Sequence, residues 1–185
     1  MDTRTKPVAQ VFTSGTNRLI GTLILFSLAV AIPSLGLPQY ITGTAVNALL
    51  IIAVETAGVS RALWVGVAPS LVAWGSGILP APLMVMIPFI IAGNALLVAI
   101  FGALRRTSYW LRLATGAAIK CAWLWVTVTL VTIRPFSMQI GQDTRTVAIP
   151  TAVAQMMSWP QLLTALAGGC LAYGLLRGYR AWRER

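Results

Sequence analysis

Histidine is absent from the chain, and only four acidic residues stand against fourteen lysines and arginines. Without histidine the sequence lacks the commonest ligand of catalytic zinc and of protein-bound haem, so neither a metal nor a cofactor is expected. Cysteine is nearly absent too. Cys121 and Cys170 each lie near the middle of an apolar run, away from any CxxC spacing, and read as small packing residues. No HExxH, GxSxG or GxxxxGK(S/T) motif occurs and no pair of acids suits hydrolysis, so catalysis, ATP hydrolysis included, is not expected. Charge of either sign is scarce: 10% of the 185 residues carry it, against about 25% in a soluble domain.

What fills the sequence is apolar. Hydrophobic residues make up 57% of the chain, and the mean hydropathy is +0.79. A membrane span takes about 20 mostly apolar residues, so six spans would use about 120 and leave no room for a separate soluble domain. The formal charge of +10 would suggest nucleic acid in a soluble protein. Here the basic residues fall between and beside apolar runs, where they set orientation and meet anionic lipid headgroups.

Punctuation by proline, glycine and charge divides the chain into six predicted spans at 19–37, 41–58, 62–79, 83–104, 109–133 and 159–176, in one transmembrane domain covering 1–185. Ala29-Val30-Ala31 after a basic leader also resembles a signal-peptidase site, so cleavage stands open beside an uncleaved first span. Residues 134–158 form the one long connection, with Pro135, Pro150 and a polar middle of Gln139, Gln142, Asp143, Thr144 and Arg145. Long connections in compact domains are often lids or binding loops.

Orientation follows from the basic residues. Arg4, Lys6, Arg18, Arg61, Arg105, Arg106, Arg112, Arg177, Arg180, Arg183 and Arg185 fall on one side, joined less securely by Lys120, and Arg134 and Arg145 on the other. The positive-inside rule then makes both termini cytoplasmic. Trp64, Trp110 and Trp182 fall near the inner boundary, and Tyr40, Trp74 and Trp159 near the outer one, as aromatic belts do. The expected fold is an all-α integral membrane bundle of six transmembrane helices.

Lys120 lies about 16 Å into the fifth span, near mid-bilayer if Tyr109 marks its boundary. An intramembrane charge is a functional candidate by default; it also snorkels or pairs. Glu55 is the only carboxylate inside an apolar run and the expected partner of Lys120, provided the lysine reaches inward. A relay or Schiff-base role for Lys120 is disfavoured, since the chain offers neither a seventh span nor a second intramembrane acid.

Polar and aromatic residues expected in the outer half suggest a ligand pocket: Gln39, Tyr40, Asn47, Trp74, Ser76, Asn94, Trp125, Gln139, Gln155 and Trp159. Each taken singly reads equally as an interhelical hydrogen bond or a belt anchor. Trp123 and Trp125 sit about 200° apart on a helix, so at most one faces the interior squarely; Trp125, nearer the outside, is the expected one. Small residues four apart, Ser27/Ala31, Ala99/Ala103, Ala165/Gly169 and Gly174/Gly178, permit close helix approach within the bundle or against a partner.

Six short spans, inward termini, a long outer fifth connection, and the stretches Asn47-Ala48-Leu49-Leu50, Pro69-Ser70-Leu71 and Ile87-Pro88-Phe89-Ile90-Ile91-Ala92-Gly93-Asn94-Ala95 together resemble the substrate-binding S component of energy-coupling factor (ECF) transporters. The resemblance implies a multi-pass protein of the prokaryotic plasma membrane that captures a vitamin or other micronutrient through spans 4 to 6 and the outer loops. It also implies a transmembrane T component and two ATPases as partners. The family's AxxxA docking face maps to Ser27 and Ala31, departing from it at the first position. The ligand class expected from the aromatic and amide content is a neutral or weakly charged heterocycle. Two other readings stand beside this one: a small accessory subunit of a larger membrane complex, and a self-contained transporter or channel relying on Lys120 and Glu55.

Overall fold

In the computed structural model, described for residues 15–75, 81–133, 136–140, 143–147 and 149–184, six long helices pack into one bundle. They are α1 (Gly15–Ser34), α2 (Gln39–Ala57), α3 (Val59–Gly75), α4 (Ala81–Ala103), α5 (Tyr109–Ile133) and, last in the chain, α7 (Trp159–Arg183). Between α5 and α7 lie an antiparallel hairpin, β1 (Phe136–Ile140) and β2 (Asp143–Val147), and the short helix α6 (Thr151–Met156). Arg4, Lys6, Ser76, Arg134, Pro135, Gln142, Arg185 and residues 76–79 of the third expected span lie outside the described residues.

The helices begin and end where the chain dictates. Pro38 precedes α2, since proline at a helix start forfeits only an N–H that would be unpaired anyway. Gly58, with φ of 91°, ends α2 by donating its N–H to Ala53 and Val54, and α3 starts at the next residue. That left-handed backbone favours glycine. The fifth span matches its expected limits; the others shift by a few residues at one or both ends.

Two differences are larger. The long connection expected at 134–158 contains ordered structure, because Phe136-Ser137-Met138-Gln139-Ile140 alternates apolar and polar residues with the period of a strand. Ile140 pairs with Asp143, so the two strands are joined by the two-residue spacing that hairpins favour. The last helix runs on to Arg183 instead of stopping at 176. Nothing breaks it there, and arginines suit the negative end of a helix dipole.

Among the described residues, four helices are long and apolar enough to cross a membrane: α1, α2, α4 and α5. The described part of α3 is shorter, and α7 carries Arg177, Arg180 and Arg183 in its final turns. The architecture is that of a helical membrane bundle. Its outer surface is apolar, with Leu19, Leu23 and Ile24 on α1 and Leu130 on α5 exposed, as lipid-facing residues are.

The core has two parts. At the arginine-rich end, Leu50, Ile51, Val65, Leu97, Phe101, Leu113 and Ala172 are buried together. At the opposite end Met86, Val128, Ile149 and Met157 form a smaller cluster, which joins the segment before α7 to α4 and α5. The most extensive helix pairing is α2 against α7. It depends on Gly168, where an added Cβ would lie 2.6 Å from the Thr44 carbonyl oxygen and 2.7 Å from Asn47 Cβ. This close approach sets the height of Asn47.

Candidate ligand-binding cleft

Between the two cores lies a cleft of about 290 Å³, lined by residues of α1 to α5, of α7 and of the linkers before α2 and α7. Pro33, Leu37, Val46, Ile87, Ile90 and Met157 give it apolar walls; Gln39, Thr42, Ser70 and Gln161 add polar groups. Gly43 and Pro69 line it too, and Asn47, Asn94 and Lys120 complete it. Residues from the end of α1, the start of α2 and the start of α7 all contribute, so the cleft belongs to the end of the bundle away from the arginines.

Lys120 is buried, with 3% of its surface exposed, and its Nζ donates to Asn47 Oδ1 at 2.6 Å and to Asn94 Oδ1 at 2.7 Å. Both asparagines are themselves anchored. Asn47 Nδ2 donates to Thr164 Oγ1 at 3.5 Å, and Thr164 Oγ1 donates to the Gln161 carbonyl at 3.2 Å. Asn94 Nδ2 donates to the Gly66 carbonyl at 3.3 Å. Each amide spends its N–H side on the scaffold and turns its oxygen to the lysine, so three helices, α2, α4 and α5, converge on one ammonium group. Interhelical polar bonds of this kind hold membrane bundles together. A partly satisfied network in a low-dielectric interior would be costly, and among the described residues no buried side-chain nitrogen or oxygen lacks a partner.

The expected pair of Lys120 with Glu55 does not form. Glu55 instead makes an ion pair with Arg112, whose Nε donates to the Phe101 carbonyl at 2.8 Å and whose guanidinium lies 3.9 Å from the centre of the Phe101 ring. The reason is register. Antiparallel α2 and α5 bring Asn47 level with Lys120 and Glu55 level with Arg112, and each step of eight residues spans about 12 Å. Glu55 is thus one storey below the lysine, with an arginine of its own. Tyr109 donates its O–H to the Gly169 carbonyl at 2.7 Å and stacks edge-on to Phe101, closing this lower level.

Of the residues expected to line a pocket, Asn47, Asn94 and Gln39 reach the cleft. Tyr40, Trp74, Gln155 and Trp159 are exposed on the outside of the bundle. Trp125 is 60% exposed, and it is Trp123 that turns toward a neighbour, donating Nε1–H to the Phe89 carbonyl at 2.9 Å. One of the two tryptophans engages the bundle, as the helical spacing requires, but it is the other one. Ser27 and Ala31 are both exposed, while Gly21, Leu25 and Ala29 form the inward face of α1. Sequence reading missed Thr42, Ser70 and Gln161 as lining residues, although a glutamine two residues into an apolar helix was a legible signal.

The arrangement can hold a small molecule. At about 290 Å³ the cleft stands at the lower limit of ligand pockets, which run from about 300 to 1,000 Å³ and combine apolar walls with a few convergent polar groups. In comparisons with known proteins, no family model, no curated protein and no solved structure matches the chain.

Proposed function

We propose that the protein is a membrane-embedded capture subunit that takes up a small molecule from the outer face, in the manner of an ECF S component. The observation that carries this reading is the cleft above Lys120, Asn47 and Asn94, on the side of the bundle away from the basic ends. Three helices bring polar groups to one point beside an open volume, and an intramembrane ionisable residue, costly to bury, marks a functional site by default. The protein would bind and present its cargo. A transmembrane T component and two ATPases would supply the energy, with the exposed Ser27 and Ala31 face of α1 offered to the T component. The cargo class is a micronutrient, and the setting a prokaryotic plasma membrane.

Native mass spectrometry of the gently solubilised protein, expressed alone, tests this. A single small molecule bound in one-to-one ratio is the expected result. A protein that is empty and aggregates without partners would overturn the reading in favour of an accessory subunit of a larger complex.

A further inference from the structure

We infer that the captured molecule carries one carboxylate, which docks on Lys120 at the floor of the cleft, with an apolar body against Val46, Ile87 and Met157. The inference deepens the capture reading and rests on it.

The argument begins with charge. An ammonium group has three N–H donors, and Asn47 and Asn94 take two of those on Lys120. Both acceptors are neutral amide oxygens. Neither amide is free to rotate and offer a ligand its N–H side, because Thr164 and Gly66 hold those sides. Among the described residues no carboxylate lines the cleft, and Glu55 is committed to Arg112 about 12 Å away along α2. The cleft therefore offers one cation, an otherwise neutral lining and a remaining donor. In a medium of low dielectric, the complement to such a site is a single anionic oxygen group, and a charge-assisted hydrogen bond is about twice as strong as a neutral one. A cationic ligand would be repelled, and a polyanion would bring charges that nothing in the lining meets. The neutral groups of Gln39, Thr42, Ser70 and Gln161 suit uncharged polar atoms on the rest of the molecule. This narrows the neutral or weakly charged heterocycle expected from sequence to a singly anionic molecule; the aromatic residues that suggested it, Tyr40, Trp74, Trp125 and Trp159, lie outside the cleft.

The test compares wild type, Lys120→Met and Asn47→Asp, each expressed alone, by native mass spectrometry and by accurate-mass analysis of the released molecule with acid-selective methylation. Lys120→Met removes the ammonium. Asn47→Asp keeps it and neutralises it in place; the Thr164 hydroxyl must then turn from the Gln161 carbonyl to donate to the second carboxylate oxygen, and this variant remains informative where the methionine variant fails to fold. The wild type is expected to release one carboxylic acid, and occupancy to fall at least about tenfold in each variant that gives a cooperative melt. A neutral or cationic molecule from the wild type, or an acid held by Asn47→Asp at wild-type occupancy, would overturn the carboxylate assignment while leaving the capture reading intact. A wild type that holds no small molecule would overturn the capture reading and this inference with it.

Discussion

At the scale of single residues, the chain resolves its few intramembrane charges in two ways. Arg112 and Glu55 neutralise one another, and Phe101 supplies both a carbonyl and a ring face to the guanidinium. Removing one member of a buried pair leaves an uncompensated charge and costs about 3–5 kcal/mol. Glu55→Gln should therefore lower the apparent melting temperature of the solubilised protein, and adding Arg112→Met should restore much of the loss. A double variant no better than the single one would show that the arginine does not depend on this carboxylate. Trp125 provides the contrast. With 60% of its surface exposed and no place in the cleft, Trp125→Ala should alter stability by no more than about 0.5 kcal/mol and leave occupancy of the cleft unchanged. The difference explains what the sequence discloses. Asn47, Asn94 and Lys120 stand out because polar groups in an apolar run must find partners, and the structure gives each its partner in the others. An exposed tryptophan satisfies the same hydropathy pattern whether it faces lipid or a pocket, so Trp125 and Trp123 cannot be told apart that way.

At the scale of elements, helix separation determines whether the polar groups meet. The α2–α7 contact brings backbone to backbone at Gly168, where even a methyl group would stand 2.6 Å from the Thr44 carbonyl oxygen and 2.9 Å from the Ala48 nitrogen. Neither neighbour is a flexible side-chain tip, so the helices themselves must part. Gly168→Ala should cost about 1–3 kcal/mol, the usual range for overpacking, and should also loosen the bond from Asn47 to Thr164. Gly174→Ala, on the same helix but facing open space, is the control and should melt as wild type does. Equal melting of the two variants would mean that the close approach is not maintained. Span positions were legible because twenty-residue apolar runs have few other readings. The hairpin was legible in principle from the alternation across 136–140, but its polar second strand, Asp143-Thr144-Arg145-Thr146-Val147, carries no such period and reads as loop. The α2–α5 register, which decides that Glu55 meets Arg112 and not Lys120, is set by the packing of both helices on α4 and α7 and leaves no trace in either helix alone.

At the scale of the whole molecule, the bundle has two unlike ends. Arg61, Arg105 and Arg106 at helix junctions, with Arg177 and Arg180 on α7, mark one; the cleft, the hairpin and α6 mark the other. The expectation from the positive-inside rule is that the first end faces the cytoplasm, and the proposed capture reading depends on that placement, since a cleft facing the cytoplasm could not take a molecule from outside. The orientation is open to direct measurement. In a chain with Cys121 and Cys170 replaced by alanine, Gln155→Cys on α6 and Arg106→Cys on the α4–α5 turn put single thiols on exposed positions at opposite ends. A membrane-impermeant thiol reagent added to intact cells should label the first and spare the second until the membrane is opened. The reverse pattern would turn the cleft inward, and the same lysine and asparagines would then belong to a protein that receives its ligand from the cytoplasm, a geometry incompatible with uptake by capture at the outer face.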